Sequence, residues 1–135
     1  MRILLDTNVL IPAYFWNGRE RALLWECIKG THENVISEYI MGEVKRVLSD
    51  KFSLPNNAVE RYVSLLTTFS TVVPIGNVYN VSRDPKDNPI IATALNGRVD
   101  ALITGDNDIL TLRDERKMFC LSNHCFKILK PGEFE

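Results

Sequence analysis

The stretch MRILLDTNVL, residues 1–10, decides how the remainder of the chain is read. Ile3, Leu4 and Leu5 form an unbroken apolar run that stops abruptly at Asp6-Thr7-Asn8. A short apolar run bounded by polar turn residues reads as a strand buried on both faces, as in a parallel sheet. Apolar character resumes at Val9, Leu10 and Ile11, so a helix entered through an Asp/Thr/Asn cap is expected next. A carboxylate then stands at the carboxyl end of a central strand, which is where open α/β sheets bind their ligands.

Downstream, the alternation continues. After the first helix, at about 8–15, Trp16-Asn17-Gly18 reads as a turn, and a second helix is expected over 19–29. Further helices are expected at 38–50 (with Ser37 as N-cap), 56–69, 88–96 (stopped by Gly97) and 108–112. Strands are expected at 34–36, 71–74, 101–104 and 125–129. Strands alternating with helices from end to end are the signature of a parallel sheet covered on both faces. No repeat, low-complexity tract or linker interrupts the pattern, so residues 1–135 read as one α/β domain.

At 45% hydrophobic and 24% charged residues, the composition is that of an ordinary globular domain. A net charge of −1 argues against a protein that coats nucleic acid by bulk charge, while leaving room for a local basic patch. No apolar run approaches the ~20 residues of a membrane span, and the N-terminus lacks a signal-peptide core. A cytoplasmic protein with reduced thiols at Cys27, Cys120 and Cys125 is therefore expected. Cys120, His124 and Cys125 fall short of the four paired ligands of a structural zinc site. Cys120 and Cys125 are expected to flank a turn and pack as small hydrophobes.

Four acidic positions stand apart by their placement. Asp6 follows the first strand, where helix capping is the competing role. On the helix 38–50, Ile40, Val44, Val47 and Leu48 define the buried stripe, and Glu43 falls at its edge. A carboxylate facing a core is costly unless paired or metal-bound; pairing with Arg46 is the alternative. Asp87 lies just ahead of the helix 88–96, in Arg83-Asp84-Pro85-Lys86-Asp87-Asn88-Pro89. Capping accounts for one aspartate there but not obviously for two. Asp106 and Asp108 follow the strand 101–104, with Asx turns as their competing role. Strands one and four would bring Asp6 and Asp106 to one edge of the sheet. Carboxylates crowded together stay ionised only if a cation neutralises them, and hard oxygen ligands suit Mg²⁺ or Mn²⁺. Neither a Ser/His/Asp or Cys/His arrangement nor a glycine-rich phosphate loop competes, since the histidines are His32 and His124 alone.

Taken together, Leu5-Asp6-Thr7-Asn8-Val9-Leu10, the mid-helix Glu43, Asp87-Asn88-Pro89-Ile90-Ile91-Ala92-Thr93-Ala94 and Thr104-Gly105-Asp106-Asn107-Asp108 resemble the PIN-domain family. The likeness runs nearly the full length, and the ordered set carries it rather than any single motif. The resemblance implies a PIN-like, Rossmann-like three-layer sandwich around a parallel five-stranded sheet with the first strand central. It implies Mg²⁺- or Mn²⁺-dependent ribonuclease activity leaving a 5′-phosphate. By position, Asp6, Glu43, Asp87 and Asp106 match the family's acidic quartet and Asp108 a frequent additional acid. Thr7, Asn8 and Thr104 match its polar supporting positions. Single-domain prokaryotic members are mostly similar to toxins of type II toxin–antitoxin pairs. An antitoxin partner and a homodimer are accordingly expected beside the RNA substrate. A nuclease of RNA processing without an antitoxin, and a catalytically silent binding domain, are the alternatives.

An acidic pocket repels a polyanion, so cations are needed nearby. Arg83 and Lys86 flank Asp87, and Lys45 and Arg46 follow Glu43. These four are the candidates for backbone-phosphate contacts, with a solvated helix face as the alternative. Tyr14 and Trp16, near the end of the first helix, are expected in core or interface packing ahead of base stacking.

Overall fold

The computed structural model describes residues 1–134. Six strands, β1 (Arg2–Leu5), β2 (Glu33–Ile36), β3 (Thr71–Val72), β4 (Ala101–Ile103), β5 (Met118–Leu121) and β6 (His124–Leu129), form one sheet in the order β3-β2-β1-β4-β6-β5. The helices are α1 (Thr7–Phe15), α2 (Arg19–Ile28), α3 (Glu38–Asp50), α4 (Asn56–Phe69), α5 (Asn88–Asn96) and the short α6 (Asn107–Leu110). Ile3, Leu4 and Leu5 are all fully buried although successive strand residues face opposite sides, so both faces of the sheet are covered. Among the described residues, no helix is long and apolar enough to cross a membrane.

The α/β architecture and the central place of β1 match the sequence expectation; the sheet itself is larger and mixed. β1 pairs in parallel with β2 and β4, β2 with β3, and β4 with β6, which are the five strands expected. β5 adds an antiparallel sixth at the edge. It pairs with β6 through a tight turn at Ser122-Asn123, where both residues have positive φ (53° and 64°). That is the twist a two-residue hairpin favours. The same hairpin corrects the reading of the cysteines. It sets Cys120 directly opposite Cys125, and the two are joined in a disulfide. Both are exposed rather than packed as small hydrophobes, and Cys27 alone is a free, buried thiol.

The connections carry the chain from β1 outward through β2 to β3, then back across to β4 on the other side of β1. Strand order reverses between β1 and β4, so a crevice opens beyond their carboxyl ends. Ladder bonds run on past both strands: Asp6 N–H donates to the Ile103 carbonyl at 3.0 Å, and Thr104 N–H to that of Leu129 at 2.9 Å. Asp6 and Thr104 are thereby fixed by the sheet rather than by loops. Buried Asn34 ties β1 to β2 and α4, accepting from Leu5 N–H at 3.2 Å and donating to Ser70 Oγ at 2.9 Å.

Two expected helix boundaries occur for different reasons than capping. Ser37 precedes α3, but its hydroxyl accepts from Thr93 Oγ1 at 2.9 Å instead of capping. Gly97 ends α5 at an ordinary φ of −76°, so left-handed geometry is not what requires glycine. The reason is space: a Cβ there would lie 2.7 Å from Val35 Cγ1 and 2.9 Å from the Thr93 carbonyl. Gly97→Ala should therefore push α5 off β2. Overpacking of this kind costs about 1–3 kcal/mol, to be read as a lowered denaturation midpoint at unchanged m-value. A variant as stable as the parent would show that the α5–β2 approach has slack.

Candidate active site

Asp6 caps α1 and does more than cap it. One carboxylate oxygen accepts from Thr7 N–H at 2.7 Å, and the other accepts from Thr104 Oγ1 at 2.8 Å. The Thr104 hydroxyl in turn accepts from Asp106 N–H at 3.0 Å and from Asn8 Nδ2 at 3.3 Å. Asn8 Oδ1 accepts from Gly105 N–H at 3.0 Å. Thr7, Asn8 and Thr104 thus lace the ends of β1 and β4 together around a carboxylate that is 2% exposed.

Glu43 arrives from α3. Ile40, Val44 and Leu48 are fully buried, and Glu43 sits at the edge of their stripe. It accepts from Thr7 Oγ1 at 2.9 Å, while Arg46 approaches its other oxygen at 3.9 Å. The pairing with Arg46 weighed for it in the sequence is therefore loose, and Thr7 is its hydrogen-bond partner.

Asp87 comes from a 3-10 turn, Pro85–Asp87, whose start is capped by Asp84 accepting from Lys86 N–H at 3.1 Å. Asp87 is 5% exposed and accepts weakly from Ser82 Oγ at 3.4 Å. The irregular segment before it is held down by Asn88, whose side-chain oxygen accepts from Val81 and Ser82 N–H at 3.2 and 2.9 Å. Tyr39 of α3 donates to the Lys86 carbonyl at 2.8 Å and so ties this turn to the helix bearing Glu43. Asp106 caps α6, accepting from Asp108 N–H at 2.8 Å. Asp84, Asp87 and Asp108 each bring one carboxylate oxygen within 4.8 Å of the others. Asp84, read from the sequence as a cap only, belongs to this acidic group as well.

Asp6, Glu43, Asp84, Asp87 and Asp106 line one cleft of about 540 Å³. Its basic members are Arg46, Lys51 and Lys86. Of the cations expected near phosphate, Lys45 turns the other way, toward α4, where it pairs with Glu60 at 3.7 Å. Arg83 is committed to Asp108 at 2.8 Å. Lys51, just past α3, carried no sequence signal. Tyr14 packs inward edge-on against Tyr62, as expected, whereas Trp16 lines the cleft and is 60% exposed.

The electrostatics of the cluster ask for a cation. Burial, opposed by the Thr104 and Thr7 hydrogen bonds and reinforced by Glu43 and Asp106, pushes the Asp6 carboxyl up to about 6. Asp87 is pushed up to about 7 by burial first, then by the charge and hydrogen bonding of Asp106 and the charges of Asp6 and Asp84. Among the described residues no ion pair reaches Asp6, Asp87 or Asp106. A set made only of hard oxygen donors, two of them buried without a counter-charge, fits a small divalent cation such as Mg²⁺ or Mn²⁺.

The model of the PIN domain family matches residues 2–108. An uncharacterized protein of Methanocaldococcus jannaschii is 34% identical over 139 residues, an alignment covering 99% of this chain and 89% of the relative. Among solved structures, the fold is similar to a chain in VapBC2 from Rickettsia felis bound to a DNA fragment from their promoter. The TM-score is 0.58 at 14% identity, covering 78% of this chain and 89% of that one.

Raised carboxyl pKa values make stability depend on pH with a definite sign. Asp6 and Asp87 bind protons more tightly folded than unfolded, so without metal their contribution is greatest at low pH and is lost as pH rises through about 6 to 7. Glu133, lowered to about 2 by Arg113, acts oppositely, but only below the ordinary carboxylate range. In chelator, the melting temperature should therefore fall between about pH 5 and pH 7.5, by on the order of 5 °C. Asp87→Asn should flatten the slope, and Mn²⁺ should restore the loss at the higher pH. A parallel slope in Asp87→Asn would remove the cluster as its source.

Proposed function

The chain belongs to the PIN-domain family, and on that premise we propose that it is a divalent-cation-dependent ribonuclease acting as the toxin of a type II toxin–antitoxin pair. The observation that carries the chemistry is the delivery of carboxylates from the end of β1, α3, the 85–87 turn and the end of β4 into one cleft, two of them buried (Asp6 and Asp87), with cations on its rim. Asp6, Asp87 and Asp106 are the residues to hold Mg²⁺ or Mn²⁺, with Asp84 and Asp108 alongside and Glu43 as a further ligand or water-orienting base. A bound cation of this kind acidifies water and stabilises charge on the attacked phosphoryl group.

The chain's own part is positioning. Thr104 and the N-terminus of α1 fix the Asp6 carboxylate by two hydrogen bonds, so it need not reorganise when the phosphate arrives. Thr7 does the same for Glu43, which faces the cleft with one oxygen bound and the other only loosely approached by Arg46. That leaves Glu43 able to accept a proton from an attacking water. Arg46, Lys51 and Lys86 offset the repulsion between acidic pocket and polyanion, holding the backbone without reading its sequence.

The partner assignment rests on a separate observation: the likeness of fold to a chain in VapBC2 bound to a DNA fragment from their promoter. A gene for a small DNA-binding protein adjacent to this one, whose product co-purifies with it, would bear the pairing out. An isolated gene would favour RNA processing or decay instead.

Asp6→Asn and Asp87→Asn should each lower Mn²⁺-dependent cleavage of RNA by roughly a hundredfold or more while the circular dichroism stays that of the parent. Thr7→Val should cost roughly 10- to 100-fold, as an outer-shell partner does. Cleavage undiminished in both aspartate variants would overturn the assignment of the site.

A further inference from the structure

We propose that the aromatic end of the cleft, Trp16 and Phe52 backed by Phe15, is a stacking site for the bases of single-stranded RNA whose backbone crosses the carboxylates. This rests on the ribonuclease reading above and adds to it the residues that seat the bases of the substrate.

Trp16 and Phe52 are 60% and 42% exposed, yet both line the same cleft as Asp6, Glu43 and Asp87. They are not loose. Phe15 lies against Phe52 with ring centroids 4.5 Å apart and planes at 35°, and against Trp16 at 5.5 Å and 50°. Large aromatic faces left open to water beside a charged pocket mark a surface that something covers.

Three arguments select the occupant. The first is continuity: Asn8 and Pro12 on α1 and Trp16 at its C-cap are spaced four apart and all line the cleft, forming one strip. That strip leads from the Asp6 end to the aromatic end, on the order of 15 Å along the axis, so the two ends engage different nucleotides of one strand. The second is charge. Arg46, Lys51 and Lys86 line the same cleft, so it offers cations and π-faces together, as an anionic polymer with flat bases requires. The third is strandedness. In an RNA duplex the base faces are already stacked and paired, so only a single strand or loop can lay a base on Trp16.

The experiment uses the full chain. A 5′-labelled single-stranded oligoribonucleotide of mixed sequence, and the same strand annealed to its complement, are titrated in chelator and then cleaved in Mn²⁺. Trp16→Ala should weaken single-strand binding roughly 5- to 150-fold, the range of one lost base stack, with the change in cleavage falling on KM rather than kcat. Trp16→Phe should retain most of the affinity, and duplex binding should not respond to Trp16→Ala. Trp25→Ala is the control, since Trp25 is 54% exposed on α2 but lies outside the cleft. The stacking site is overturned if Trp16→Ala binds the single strand as the parent does, or loses single strand and duplex equally. It is also overturned if Trp16→Ala spares RNA and weakens only a co-purifying protein. A parent that cleaves no RNA but binds single strands through Trp16 would refute the ribonuclease reading and leave the stacking site standing. Asp6-dependent cleavage with KM indifferent to Trp16→Ala would do the reverse.

Discussion

A carboxylate is held in place at the end of β1, a central strand whose Ile3, Leu4 and Leu5 are fully buried. Everything near the crevice follows from that constraint. Asp6 is flanked by Leu5, which is fully buried, and its own backbone N–H is taken by the sheet through the Ile103 carbonyl. Its side chain cannot swing to solvent without giving up the hydrogen bond that caps α1. The protein supplies neutral donors, the Thr7 amide and the Thr104 hydroxyl, and these favour the ionised form without cancelling its charge. Burial outweighs them, so the carboxyl titrates at about 6 rather than near its ordinary value.

The choice of neutral donors over a cation separates this cluster from a structural ion-pair network. Where the chain uses carboxylates for stability, it pairs them: Glu133 takes Arg113 at 2.7 Å and Lys117 at 2.9 Å, and is pulled down to about 2. At the crevice, among the described residues, guanidinium groups reach only the outer acids, Arg83 on Asp108 and Arg46 loosely on Glu43. Asp6 is left with hydroxyl and amide donors, Asp87 with the Ser82 hydroxyl and the neighbouring Asp106, and Asp106 with the Asp108 amide. Tyr39 and Asn88 then hold the irregular 80–87 segment against α3, which keeps Asp87 pressed toward Asp6 and Asp106 despite their mutual repulsion. Like charges are crowded by covalent and hydrogen-bonded constraint, a strained arrangement that a bound cation would relieve.

How much of this the sequence discloses depends on which periodicity applies. Asp6 and Asp106 were legible because each ends a strand that is apolar on both faces, and such strands are conspicuous as runs. Glu43 was legible because a helix repeats every 3.6 residues and the stripe around it is unbroken. The same arithmetic shows why Lys45 was misplaced. At about 100° per residue it lies some 200° around α3 from Glu43, on the opposite side, whereas Arg46 at three residues returns to the same face. Adjacency in sequence was mistaken for adjacency in space. β5 went unseen because Met118–Leu121 alternates weakly and faces partly to solvent, so only its pairing with β6 defines it. The turn between Cys120 and Cys125 is legible in the sequence, but that it closes a hairpin and sets the two cysteines opposite each other follows only from the β5–β6 pairing.

Lys51 and Phe52 were illegible for a further reason, which bears on how the cleft is assembled. They follow the last turn of α3, where Lys51 N–H still bonds the Val47 carbonyl and Ser53 then takes a positive φ of 51°. That turn reverses the chain and throws Phe52 back onto Phe15 at the end of α1. No periodic pattern encodes such a contact, because it depends on where two helices end relative to each other. At the carboxylate end of the cleft, Asp6 and Asp106 follow sheet strands, while Glu43 and Asp87 are tied in by the Thr7 and Tyr39 hydrogen bonds. The aromatic end is built on two helix termini, the ends of α1 and α3. A domain arranged this way can keep its chemistry fixed while altering what lies beside it, because the groups that would react and the groups that would select stand on separately determined parts of the chain.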